Sequence, residues 1–125
     1  MTWGIELLGP KERLIKEYSL TDDIYTVGTK GDIRVPERFE SVSPFHGIFS
    51  VKDDELWYKN LSLNGTGVKY PKSDEINFIM DVLSMFMFDE NTILYLGPFK
   101  YLKSLKDGNQ DNIIENCLKI RIKKI

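Results

Sequence analysis

Over its first hundred residues the chain interrupts each apolar segment after a few positions with Gly, Pro, Asn or Asp. Helices of ordinary length have no room between such stops, whereas short strands joined by turns do, so the spacing predicts a β-sandwich or barrel. Strands are expected at Trp3 to Leu8 and Leu14 to Leu20, joined by a hairpin connection at Gly9-Pro10-Lys11-Glu12. Further strands are expected at Ile24 to Val27, Ile33 to Val35 (stopped by Pro36), Phe45 to Val51, Leu56 to Asn60 and Gly67 to Tyr70. Thr92 to Leu96 and Phe99 to Leu105 read as a last pair around Gly97-Pro98.

Two segments depart from this spacing. Between Pro71 and Phe88 the residues Ile76, Ile79, Met80 and Leu83 fall at helical spacing behind Ser73, a possible cap, while Phe78, Met80 and Val82 also alternate as a strand would. Its content of Phe78, Ile79, Met80, Val82, Leu83, Phe86 and Phe88 is too apolar for a plain connection. The expectation is that it covers one end of the sandwich or offers a surface to a partner. The tail from Asp111 to Ile125 is double in the same way: Ile113, Ile114, Cys117 and Leu118 suit a helix face, and Leu118, Ile120 and Ile122 suit a strand. Its cations Lys119, Arg121, Lys123 and Lys124 read as a solvated face.

At 125 residues, 42% hydrophobic and 12% aromatic, the chain can bury a core without a disulfide or a metal. The formal charge of −2 argues against a nucleic-acid footprint spread over the surface. A single cysteine, Cys117, and a single histidine, His46, exclude an internal disulfide and any metal-ligand spacing, so neither metal nor cofactor is expected. Gly28-x-x-Gly31 is followed by no helical pattern and no Gly-Lys-Ser/Thr, and is not a nucleotide loop. Asp22-Asp23, Asp53-Asp54 and Asp89-Glu90 read as turn charges rather than an acid/base pair. The start has no basic stretch leading into an apolar one, and no run approaches the roughly 20 apolar residues of a membrane span. An intracellular setting, cytoplasm or nucleus, is expected, with no membrane in this segment.

Ser43-Pro44-Phe45-His46 raises the question of a nucleophile with its base, but three residues along an irregular segment do not fix an imidazole against a hydroxyl, and no third orienting group is evident. Asn64-Gly65-Thr66 reads first as a turn between strands. With Gly28 ending a strand ahead of them and Leu94-Tyr95-Leu96-Gly97 behind, these pieces in this order resemble a forkhead-associated (FHA) domain, a reader of phosphorylated motifs. The resemblance runs from about Ile24 to Leu105. It implies an all-β fold: an eleven-stranded sandwich of two sheets whose loops at one end bind phosphothreonine peptides. The domain is expected over 1–110, with a possible short helical insertion, and 111–125 as a C-terminal extension.

The resemblance also implies roles. Ser43 matches the serine that donates to the phosphate and Asn64 the asparagine that holds the peptide backbone; Gly28, His46, Gly65 and Thr66 match positions that brace the loops. The arginine that follows the family's glycine is Thr29 here, leaving Lys30 to bring a point charge instead of a bidentate fork. Pro44 offers no N–H, and Leu63 stands where a polar residue is common. Two readings follow: a non-catalytic interaction module that recognises a phosphothreonine protein through Thr29, Lys30, Ser43 and Asn64, or a scaffold that keeps the fold and binds partners independently of phosphate in a larger assembly.

Overall fold

The computed structural model describes residues 3–98 and 111–124. Eleven strands among them form two sheets: β1 (Trp3–Leu8), β2 (Leu14–Leu20), β3 (Ile24–Gly28), β4 (Ile33–Arg34), β5 (Gly47–Lys52), β6 (Glu55–Asn60), β7 (Thr66–Lys69), β8 (Asn77–Ile79), β9 (Met85–Met87), β10 (Ile93–Leu96) and β11 (Leu118–Lys124). One sheet runs β2-β1-β11-β10-β7-β8, the other β4-β3-β5-β6-β9. Every pairing is antiparallel except β3 with β4. The strand pattern read from the sequence is therefore present, shifted by a residue or two at several ends; the Phe99 to Leu105 strand lies outside the described residues.

The alternation of side chains builds the core. Trp3, Ile5 and Leu7 on β1, Leu118, Ile120 and Ile122 on β11, and Leu94 and Leu96 on β10 face Phe49 and Val51 of β5 and Leu56 and Tyr58 of β6, all buried in one cluster. Phe49, Tyr58, Phe86 and Phe88 meet edge-on or tilted, with centroids 5.0 to 6.3 Å apart, an arrangement that suits the ring quadrupole.

The two ambiguous segments resolve differently. From Asp111 the chain is helical to Asn116 (α1) and then becomes β11, so the helix and strand readings are both correct, one after the other. This segment is no appendage: β11 lies between β1 and β10 in the middle of the larger sheet, and the boundary expected after residue 110 would remove a central strand. Nor are all its cations solvated. Lys119 is 1% exposed on the outer face, in register with Leu8 and Tyr95, and burial holds its amine below the usual lysine range. A second small cluster sits on that face, made of Ile76, Tyr95, Ile113 and Cys117. The Cys117 thiol donates to Leu96 O at 3.0 Å and is pushed up to about 12 by burial, which marks a packing group rather than a reactive one.

The segment 71–88 is not helical. It supplies β8 to the edge of one sheet and β9 to the edge of the other, crossing between them at residues 80–84. Its helical spacing misled because the alternation of a three-residue edge strand is too short to register against it. Ile76 and Phe88 are buried, whereas Met80, Val82, Leu83, Met85 and Met87 are exposed.

Candidate functional site

The connections leaving β3, entering β5 and joining β6 to β7 converge at one end of the sandwich. Backbone bonds tie them: Thr29 N donates to Ser43 O at 3.3 Å, Lys30 N to Pro44 O at 3.0 Å, and Leu61 N to His46 O at 2.9 Å. The contact is close enough to require glycine. Gly28 has φ of 153°, and a Cβ there would run into the carbonyl oxygens of Ser43 and Pro44. Gly97, at the end of β10, has φ of 70° and lies equally tight against Ser41, so a fourth element closes on the same connection.

His46 stands at the centre and is fully buried. Its Nδ1 accepts the Ser43 backbone N–H at 3.0 Å, which leaves Nε2 to carry the proton and donate to Gly65 O at 2.7 Å. Burial is the larger influence on the ring and lowers its pKa to about 4, against the opposing pull of the Gly65 carbonyl. The imidazole is thus a neutral link between two loops. It does not contact the Ser43 hydroxyl, and a Ser43 nucleophile with His46 as base has no geometry behind it.

The Ser43 Oγ instead lies 2.6 Å from Ser62 Oγ. Ser62 Oγ in turn accepts Asn64 N–H at 3.1 Å, and the Asn64 side-chain amide donates to Ser41 O at 3.1 Å. The Asn64-Gly65 turn forms over Ser62 to Gly65, with Gly65 N donating to Ser62 O at 3.2 Å; the left-handed residue is Gly65 (φ 77°), not Asn64. Thr66 faces inward, donating its hydroxyl to Asn60 Oδ1 at 3.1 Å.

Asn60 is the residue that the sequence reading passed over. It is fully buried; its amide nitrogen donates to Ser62 O (3.1 Å) and Asp81 O (3.2 Å), and its oxygen accepts from Ser62 N (3.3 Å) and Thr66 Oγ1 (3.1 Å). The signal was the spacing Asn60-x-Ser62-x-Asn64 at the end of a strand, where short polar side chains bond back to a turn.

The expected site residues fall into two groups. Gly28, His46, Gly65 and Thr66 are buried, whereas Lys30 and Asn64 are exposed and Thr29 and Ser43 half-buried along the seam between the loops. The surface presented there holds two hydroxyls, an amide and one ammonium. Among the described residues, no group of three His, Cys, Asp or Glu side chains could hold a metal, and no helix is long and apolar enough to cross a membrane.

No protein-family model matches the sequence, and no curated protein matches it. Solved structures do match in shape. The FHA domain of the CT664 protein from Chlamydia trachomatis superposes with a TM-score of 0.66 at 14% identity, covering 100% of this chain and 99% of that one. The FHA domain of human APLF, in complex with an XRCC1 bisphospho peptide, gives 0.66 at 16%, covering 98% and 99%. The FhaA FHA domain, complexed with the intracellular domain of Rv3910, gives 0.61 at 14%, covering 97% and 99%. The matches span the whole chain, β11 included.

Proposed function

From a chain that has the FHA β-sandwich fold, we propose a non-catalytic interaction module that reads a phosphothreonine in a protein partner through the loops carrying Thr29, Lys30, Ser43 and Asn64. Proteins of this shape bind phosphorylated or protein partners, as the APLF and FhaA complexes illustrate. The observation that carries the reading is the joining of the connection entering β5 to the one between β6 and β7 by His46 and Ser62, which holds the Ser43 hydroxyl and the Asn64 amide at one seam before any ligand arrives.

The chemistry of that seam is specific. If Ser62 O–H donates to Ser43 Oγ, the Ser43 proton is free to donate to a phosphate oxygen, and the chain of hydroxyls polarises toward the anion. Lys30 supplies charge as a compact ammonium without the paired donors of a guanidinium. The Asn64 oxygen is left to accept a peptide N–H while its nitrogen remains on Ser41 O. A dianion is only partly compensated by this set, which favours modest affinity with strong salt dependence.

A second reading, a scaffold that binds without phosphate, is supported by Thr29 in place of arginine and by the Ser43 hydroxyl being already engaged. Titration with a phosphothreonine peptide library beside its unphosphorylated twin separates the two. Phosphate-dependent binding that weakens in Ser43→Ala and Lys30→Ala supports the first; equal binding of both libraries supports the second.

A further inference from the structure

The connection between β1 and β2 is strained in a way that the loop site does not explain. Arg13 N donates to Pro10 O at 3.4 Å, closing a turn whose two central residues, Lys11 and Glu12, have φ of 59° and 57°. That is the backbone of a primed hairpin turn, for which Asn-Gly or Asp-Gly is the inexpensive choice. A lysine and a glutamate there are both held in the left-handed region that their Cβ disfavours, and such strain, once observed, points to what the side chains do. Glu12 reaches away to Arg121, 3.3 Å from its guanidinium. Lys11 lines a concavity that Glu12 does not.

That concavity, of about 310 Å³, is lined by Gly9, Pro10, Lys11, Arg13, Ile15 and Arg38. Arg38 comes from the connection that also carries Ser43, and two successive turns, Phe39 N to Pro36 O and Val42 N to Phe39 O, lie along the path between them. Its guanidinium lies over the Phe39 ring, 4.9 Å from the centroid, an arrangement that keeps the N–H donors at the edge of the fork accessible to an anion. The position facing the buried Phe39 ring and Ile15 across the floor is Gly9, where a Cβ would stand 3.7 Å from the ring and 3.3 Å from Ile15 Cδ1. Lys11 and Arg13 are exposed. None of the three cations is ion-paired among the described residues, although the chain as a whole carries a formal charge of −2.

Three uncompensated cations around one concavity, with the acid of the same turn drawn off to Arg121, form a trap for a dianion. We propose that the concavity lined by Lys11, Arg13 and Arg38 is an anion site separate from the Ser43–Asn64 seam, and that it takes a phosphorylated side chain of a protein partner. Two arginines supply bidentate donors and Lys11 a third charge, a set suited to the three oxygens and near-double charge of a phosphomonoester.

The test uses the full chain and inorganic phosphate as the first probe, at fixed ionic strength made up with chloride. Backbone amide resonances of Gly9, Lys11, Arg13, Ile15 and Arg38 should shift saturably with phosphate, and the apparent Kd should rise at least tenfold in the Arg13→Gln, Arg38→Gln double variant. Lys30→Gln, which touches only the loop seam, should leave these shifts in place. A phosphoserine tetrapeptide should produce the same shifts, and its unphosphorylated twin should not. Lys11→Gln, on an exposed turn, gives a second reading should the double variant unfold. Absence of saturable shifts, their survival in both sets of variants, or equal binding of the two peptides would overturn the proposal. Loss of loop-seam binding in Ser43→Ala has no bearing on these resonances, so the two sites fail or stand separately.

Discussion

The loops around His46 and the segment from Tyr70 to Ser84 meet at Asn60, and they are held differently. Around His46, a web of side chains is added to the backbone bonds: an imidazole, a buried amide and three hydroxyls bond within and between the connections. The 70–84 segment relies on backbone, with β8 on β7, Leu83 N on Asn60 O and Asn60 N on Ser84 O. Side-chain webs concentrate stability in a few residues, because one deletion strands several buried partners. Backbone-held edges spread it, and their exposed side chains are replaceable.

The largest effect should come from the residue that belongs to both regions. Asn60→Ala leaves Ser62 N–H and the Thr66 hydroxyl without their acceptor, and takes one of two donors from each of Ser62 O and Asp81 O, which keep Gly65 N and Ser84 N. With buried groups each costing about 1–3 kcal/mol when unsatisfied, a loss of roughly 3 kcal/mol is expected in urea denaturation. A loss under about 1 kcal/mol, the size of an ordinary substitution, would mean that the web is not cooperative.

His46 gives the next effect, and gives it through pH. Its folded pKa, about 4, lies below the unfolded value, so the unfolded chain binds more protons between these two values. Stability from this group is complete above about pH 6.5 and is lost as pH falls toward 4, amounting to about 2 kcal/mol between pH 7 and pH 5. His46→Ala should cost about 1–3 kcal/mol at pH 7 and flatten that dependence. Parallel profiles for wild type and variant, measured by chemical denaturation, would place the pH sensitivity elsewhere.

The same contrast governs what could be read beforehand. The braced loops were legible because their chemistry is carried by residue identity: a glycine that no Cβ can replace at 28, a histidine at 46, and Asn-Gly at 64–65. Asn60 and Ser62 were missed although they lie in the same run, since a short polar residue at a strand end is ordinary until its partners are known. The 71–88 segment was illegible for a different reason. Which strand it forms depends on the free edges of β7 and β6, and nothing local in its sequence records those edges. The buried state of Lys119 is likewise a consequence of packing on the outer face of the larger sheet, invisible in an alternating Lys-x-Arg-x-Lys pattern.

On the backbone-held side the expected effects are small. Met85 and Met87 are 51% and 48% exposed on an edge strand, so Met85→Thr and Met87→Thr should each change stability by no more than about 0.5 kcal/mol. A larger loss in thermal melts would show that β9 depends on those side chains and not on its pairing with β6.

Leu83 should move stability in the favourable direction. Its φ of 74° places a γ-branched residue in the left-handed region, where the Cβ crowds the following carbonyl at a cost of about 1–2 kcal/mol. The side chain recovers little of that, being 62% exposed, and the anchoring bond, Leu83 N to Asn60 O at 2.7 Å, is made by the backbone and survives any non-proline substitution. Glycine would remove the strain but adds about 0.5–1 kcal/mol of unfolded-chain entropy, so Leu83→Gly should come out near neutral. Asparagine tolerates this conformation without that entropy, and Leu83→Asn should stabilise by a few tenths to about 1 kcal/mol. Measured together in urea, the two variants isolate the backbone contribution. If both destabilise by more than about 1 kcal/mol, Leu83 holds its segment through its side chain, and the division between the two regions fails at the point where they join.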